Sequence, residues 1–214
     1  MGEPGIPASS ERPTVTGIRL AVFDLDGTLL RGRTLCEVIA DGIGHQERMR
    51  VLERADSRDE VIAAREEMAD WYREAGFDTV RSLCFDADLA PGAFEACELL
   101  RDCGVDLAIA SITLSLGVEA IAELLGVERC LGTTIHADGR IDHVFGEDKA
   151  AWIAHLGVPP EEIAAVGDSE RDVEMLQAVG LPIFVGTTWI SGLPAHTVHL
   201  SDADLRDVAR VILS

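Results

Sequence analysis

The sequence predicts an α/β fold, a three-layer αβα core with a parallel sheet that carries one inserted small helical cap, and three observations predict it. Apolar runs of strand length, Ile18 to Phe23, Val105 to Ala110, Ile163 to Val166 and Pro182 to Val185, alternate with segments of helical period. Near-continuous runs of this kind suit strands buried on both faces, as parallel strands are. The first and third runs end in acid- and glycine-bearing turns, where open α/β sheets bind ligands. The stretch 33–86 shows helical spacing with no strand alternation. Together these describe a Rossmann-like doubly wound core interrupted once.

The elements follow in order. Residues 1–16 contain Pro4, Pro7 and Pro13, lack a basic-then-apolar leader, and read as a flexible N-terminal tail. Residues 17–32 and 87–214 form the core and 33–86 the cap, where Leu35, Val38, Ile39, Val51, Leu52, Val61, Ile62, Met68, Trp71 and Tyr72 recur at helical spacing among charges. Pro91-Gly92 opens a helix over 93–102, and Gly104 ends it before the second strand. A helix over 116–125 stops at Gly126, and Asp138-Gly139 between β-formers predicts a hairpin with a two-residue turn. Then come a helix over 149–155, a strand over 163–166, a helix over 172–179, strands over 182–185 and 197–200, and a last helix over 203–213 capped by Ser201 or Asp202.

Composition narrows the function classes. The chain has 214 residues, 47% of them hydrophobic, enough for a sizeable core, and no apolar run approaches a membrane span. Its net charge of −20 repels nucleic acid and anionic membranes, so neither is expected as a partner. Cys36, Cys84, Cys97, Cys103 and Cys130 are scattered without CxxC spacing and read as reduced thiols, which points to the cytoplasm. His196 and His199 fall on opposite faces of a strand and take no metal role. Of 18 basic residues only Lys149 is lysine, which singles it out in a chain that otherwise uses arginine.

The acidic turns carry the chemistry. Asp24 and Asp26 follow the first strand in Asp24-Leu25-Asp26-Gly27-Thr28; Ser111 follows the second; Lys149 opens a helix; Gly167-Asp168 follows the third, with Asp172 four residues on. A phosphate monoester is a dianion and a poor electrophile, so attack on it needs neutralised oxygens and a nucleophile held in line. Asp24 can supply the nucleophile and one Mg²⁺ ligand, and Asp168 another. Asp26 can protonate the leaving oxygen and then activate water. Ser111 and Lys149 can hold the phosphoryl group. Singly, each residue is as well explained as a cap or turn former; their order along the chain is what points to one site.

On these residues the chain resembles the haloacid dehalogenase superfamily of phosphotransferases, over essentially everything after residue 17. The resemblance implies an aspartyl-phosphate on Asp24, acid/base work by Asp26, and Mg²⁺ held by Asp24, the backbone carbonyl of Asp26 and Asp168. It implies support from Asp172 for the metal shell or the lysine. The cap, Pro91-Gly92-Ala93, the Asp138-Gly139 turn and the Gly-Asp-x-x-x-Asp-x-x-Met-Leu ending are similar to the phosphoserine phosphatase subgroup. Where that subgroup has a glutamate for the substrate amine, nine residues after the nucleophile, this chain has Arg33; Arg65 lines up with its carboxylate-binding arginine. Arg33 and Arg65 are therefore candidate substrate contacts, and Arg33 predicts an anionic group on the substrate in place of phosphoserine.

The expectation is a Mg²⁺-dependent phosphomonoesterase acting on a small phosphorylated metabolite, with no expectation for oligomeric state. A phosphomutase or phosphotransferase using the same aspartyl-phosphate, and a noncatalytic partner-binding domain of the same fold, stand as alternatives.

Overall fold

A computed structural model describes residues 17–214, so the segment 1–16 lies outside the described residues. The first strand, β1 (Leu20–Phe23), is fully enclosed and occupies the middle of a seven-stranded sheet. Its neighbours come late in the chain: β2 (Asp106–Leu114) pairs with it from Leu20↔Asp106, and β5 (Ile163–Gly167) from Leu20↔Ile163, both parallel. Outward from β2 lie β3 (Arg129–Ile135), parallel, and the short antiparallel β4 (Ile141–Asp142). Outward from β5 lie β6 (Leu181–Phe184) and β7 (Val198–His199), both parallel. The strand order therefore reverses at β1, and the crevice beyond the carboxyl ends of β1, β2 and β5 is where such sheets place their ligands.

Between β1 and β2 the chain forms four helices, α1 (Leu35–Gly42), α2 (Gln46–Leu52), α3 (Arg58–Ala75) and α4 (Phe77–Cys84), before α5 (Ala93–Asp102) returns it to the sheet. Thr34 and Ser57 start α1 and α3 with full capping boxes, closed by Glu37 and Glu60. The segments entering and leaving this insertion run side by side: Ala90 N–H donates to Leu29 O at 2.8 Å and Arg31 N–H to Asp88 O at 2.9 Å. The insertion has its own interior of Met49, Met68, Trp71, Tyr72 and Val80, continuous with the apolar side of the sheet. Trp71 stacks on His45, ring centroids 4.3 Å apart, and Tyr72 is completely enclosed, both in the interior of the insertion. Burying side chains of this size stabilises by about 1.5–3 kcal/mol each, enough to hold a four-helix insertion without a disulfide.

The remaining helices are α6 (Ser115–Leu125), α7 (Gly146–Ala154), α8 (Val173–Gln177) and α9 (Leu205–Ile212). Several boundaries differ from the sequence expectation. Strand β2 continues through Ser111 to Leu114, with an irregularity in its pairing to β3 between Ala110 and Leu114, because Thr113 and Leu114 still pack inward. The hairpin joining β3 and β4 is longer than a two-residue turn: His136 N–H donates to Arg140 O, leaving Ala137, Asp138 and Gly139 as a three-residue loop. The segment after Asp168 begins as a short 3-10 turn, Glu170–Asp172, before α8. The last helix is capped by Asp204, whose side chain accepts from Arg206 N–H, in place of Ser201 or Asp202. At the start of α5, Gly92 has φ +75°, and a Cβ there would lie 2.1 Å from Asp204 Oδ1, so a glycine is required where α5 meets the start of α9.

Candidate active site

The carboxyl ends of β1, β2 and β5 converge on one buried cluster. Asp24 continues the line of β1, its N–H donating to Val166 O of β5 at 2.9 Å, and the residue is 5% exposed. Gly27 then turns the chain with φ +85°; a Cβ there would stand 2.2 Å from Asp168 Oδ2, so glycine is what lets the first turn pack against the carboxylate after β5. Ser111 lies inside β2 rather than after it, buried, with its Oγ accepting from Thr113 N–H at 3.2 Å.

Lys149 reaches this cluster from α7. Its Nζ donates to Asp24 Oδ1 and to Asp172 Oδ1, both at 2.6 Å, and its side chain is 1% exposed. Asp172 is wholly enclosed; its second oxygen accepts from Asp168 N–H at 3.1 Å, Ser169 N–H at 3.0 Å and Ser169 Oγ at 3.1 Å. Both of its oxygens are thus committed to the lysine and to its own turn. Burial alone would push Lys149 toward neutrality, but the carboxylates of Asp24 and Asp172 outweigh it and keep the ammonium protonated.

Asp24, Asp168 and Asp172 each bring a carboxylate oxygen within 4.8 Å of the others. Burial pushes Asp24 well above the usual carboxylate range, with Asp172 and Asp168 adding to it and Lys149 opposing it. Burial and Asp172 raise Asp168 to about 6. Three carboxylates thus share one ammonium, and the cluster is short of positive charge. Asp24 and Asp168 each also keep one oxygen free of any protein donor among the described residues. Hard oxygen donors, unfilled acceptor positions and a charge deficit are what a divalent cation such as Mg²⁺ requires, so the residues fit it.

The Asp26 carboxylate is turned away from the metal-type cluster. Its Oδ1 accepts from Leu35 N–H, the first residue of α1, at 2.6 Å. Burial raises it to about 6, partly offset by that hydrogen bond. A carboxyl raised to about 6 stays partly protonated near neutrality and can donate to a leaving oxygen.

A half-open cavity of about 140 Å³ lies over Asp24, Asp26, Ser111 and Lys149. The two arginines expected near it separate. Arg65 lines it, buried, with Nη2 donating to Ile112 O at 2.8 Å and Val144 O at 2.7 Å and its guanidinium 4.9 Å from the Phe145 ring centre. Arg33 does not line it: the side chain is 46% exposed and pairs with Asp41 at 3.1 Å, because it falls on the outer side of the start of α1. Sequence reasoning did not identify Glu53, Thr113, Cys36 or Arg171, which also line the cavity. Thr113 stood two residues from Ser111 and was within reach of strand alternation; nothing in the sequence pattern marks Glu53.

The profile of the haloacid dehalogenase-like hydrolases matches residues 18–180. The chain belongs to that family. Among curated relatives, a phosphoserine phosphatase of Streptomyces coelicolor is 28% identical over 192 residues, 84% of this chain and 47% of that protein. One of Archaeoglobus fulgidus is 28% identical over 179 residues, 77% of this chain and 52% of that protein. The chain spans about half the length of these curated relatives. Among solved structures, an apo phosphoserine phosphatase superposes with a TM-score of 0.73 at 19% identity, over 91% of this chain and 99% of that one. This likeness establishes the fold. The expected three-layer α/β architecture and the expected superfamily are therefore both borne out.

Proposed function

We propose that this member of the haloacid dehalogenase-like hydrolases is a phosphomonoesterase that transfers the phosphoryl group of a small substrate to Asp24 and then to water. The observation that carries the reading is the buried Lys149 ammonium shared between Asp24 and Asp172, directly beside the free oxygen of Asp24. A structural salt bridge does not explain why three carboxylates are gathered around one ammonium with acceptor positions left open.

In this reading Asp24 attacks phosphorus in line while Lys149 and Ser111 hold nonbridging oxygens. Asp26, in its protonated form, gives its proton to the leaving alcohol and then takes one from the water that cleaves the aspartyl-phosphate. Asp24 and Asp168, with the Asp26 backbone carbonyl, would hold Mg²⁺, and Asp172 positions Lys149. The bound cation would supply charge neutralisation at the phosphoryl oxygens. Residues 33–86 act as the cap that shields the reacting group from bulk water. Supporting the reading, the two curated relatives described above are phosphoserine phosphatases, each 28% identical to this chain.

No helix of the described residues is long and apolar enough to cross a membrane, and all five cysteines are free thiols. We take the protein to act in the cytoplasm on a small phosphomonoester, without nucleic acid or membrane as partner. Phosphate release from a phosphometabolite panel at fixed Mg²⁺ tests this, with beryllofluoride capture at Asp24 as a second readout. Failure of the whole panel together with failure of capture would remove the activity.

A further inference from the structure

The cavity over Asp24 has two unlike walls. The core contributes the reactive groups. The inserted helices contribute the apolar side chains Met49, Leu52, Val61 and Met68 and two charged ones, Glu53 and Arg65. Arg65 is already committed, with one nitrogen donating to two main-chain carbonyls and the guanidinium lying over Phe145.

Glu53 follows the last residue of α2 and is half-buried. The Thr34 hydroxyl holds it: that oxygen accepts from Glu37 N–H at 3.2 Å, so its single proton is directed to Glu53 Oε1, 2.8 Å away. Glu53 Oε2 has no donor among the described residues. The negative charge is felt inside the cavity, where it adds to the upward shifts of Asp26 and Cys36. A carboxylate fixed in an apolar wall with one acceptor oxygen unfilled is completed by a cationic donor.

We infer that Glu53 is a specificity-determining residue that reads the end of the substrate remote from phosphorus, selecting phosphomonoesters whose alcohol carries an ammonium group and no carboxylate. The inference rests on the phosphomonoesterase reading above. A short aminoalkyl phosphate suits a cavity of about 140 Å³. A carboxylate at that end would meet Glu53 with the same sign of charge, while Arg65 Nη2 is taken up by two main-chain carbonyls and Nη1 lies 3.5 Å from His143 Nδ1. Arg171 also lines the cavity, from the core turn next to Asp172, and its charge is felt at Arg65.

The test compares O-phosphoethanolamine, ethyl phosphate and L-phosphoserine as substrates of the wild type, Glu53→Gln and Glu53→Lys. Calorimetric binding of the same three compounds to the Asp24→Asn protein, with and without Glu53→Gln, is the second arm. Phosphoethanolamine should be favoured over ethyl phosphate by about tenfold or more in kcat/KM, the scale of one charge-assisted hydrogen bond. Glu53→Gln should collapse that ratio mainly through KM, and Glu53→Lys should invert it. An unchanged ratio in both variants overturns the inference, as does a wild type that prefers phosphoserine. If none of the three is turned over, the phosphatase reading fails for these compounds and binding decides the inference alone. Tighter binding of phosphoethanolamine than of ethyl phosphate, lost in Glu53→Gln, upholds it, and equal binding overturns it.

Discussion

Lys149 Nζ lies 2.6 Å from Asp172 Oδ1, and neither side chain is reached by solvent. Asp172 is in turn held by three donors of its own turn, so the lysine is located by a carboxylate that cannot move independently of the end of β5. Lys149→Ala leaves two buried carboxylates uncompensated, which costs about 3–5 kcal/mol. The variant should melt on the order of 10 °C lower in calorimetry, and Lys149→Arg should rescue little activity, since a planar fork does not fit a fully enclosed ammonium site. A Lys149→Arg protein within a few-fold of wild-type turnover would contradict the assignment.

Asp24→Asn keeps the volume of the side chain and removes the oxygen proposed to attack phosphorus. Turnover should fall by about 10⁴-fold or more, as for loss of other covalent nucleophiles, with the circular dichroism spectrum unchanged. Near wild-type activity, after mass spectrometry has excluded deamidation, would place the nucleophile elsewhere.

Divalent metal should bind where the charge deficit is. At one hundred times its dissociation constant, Mg²⁺ stabilises the folded protein by about 2.7 kcal/mol, read as a thermal shift that EDTA reverses. Asp168→Asn should remove most of that shift. Ca²⁺ should give a shift without turnover, since it takes more ligands at longer distances and would draw in both oxygens of Asp24.

Arg33 pairs with Asp41 on the exposed side of α1. Exposed ion pairs contribute about 0–1 kcal/mol, so Arg33→Glu should leave both the melting temperature and the ratio of kcat/KM between anionic and cationic phosphomonoesters within about twofold. A larger change in the ratio would mean that Arg33 reaches the substrate.

Burial raises the Cys36 thiol to about 12, with the Asp26 carboxylate adding to it and a Thr113 hydrogen bond opposing it. The reactive thiolate is therefore scarce through pH 9, and its fraction grows only as pH rises toward the shifted value. Native protein treated with iodoacetamide at pH 8 should stay unmodified at Cys36 while unfolded protein is modified there, as peptide mass mapping would reveal. Rapid native labelling would show that the cavity wall opens.

The candidate site residues were legible in the sequence because each stands at a place that local rules locate. Asp24, Asp26 and Asp168 follow apolar strand runs, and Lys149 is the one lysine of an arginine-using chain. The insertion between β1 and α5 was legible only as helices. Periodicity tells which face of a helix is apolar, but the angle between α1, α2 and α3 depends on the short links around residues 43–45 and 53–57, and those angles decide which charged side chains face inward. That is why Arg33 turned outward and Glu53 inward without a signal for either. The extension of β2 past Ser111 and the Asp204 cap were missed for a related reason, since both depend on packing against elements distant in the chain.

The placement of β1 at the centre of the sheet has a consequence for biosynthesis. Strand β1, which leads into Asp24, leaves the ribosome before the strands it pairs with, so one edge of it waits for residues 106–109 and the other for residues 163–166. Until both arrive, Leu20 to Phe23 is an apolar segment with unpaired main-chain groups on each side, the condition that invites capture by other chains. Nascent chains stalled before residue 163 should therefore depend on chaperones, and they should be protease-sensitive at the first strand although its sequence is complete.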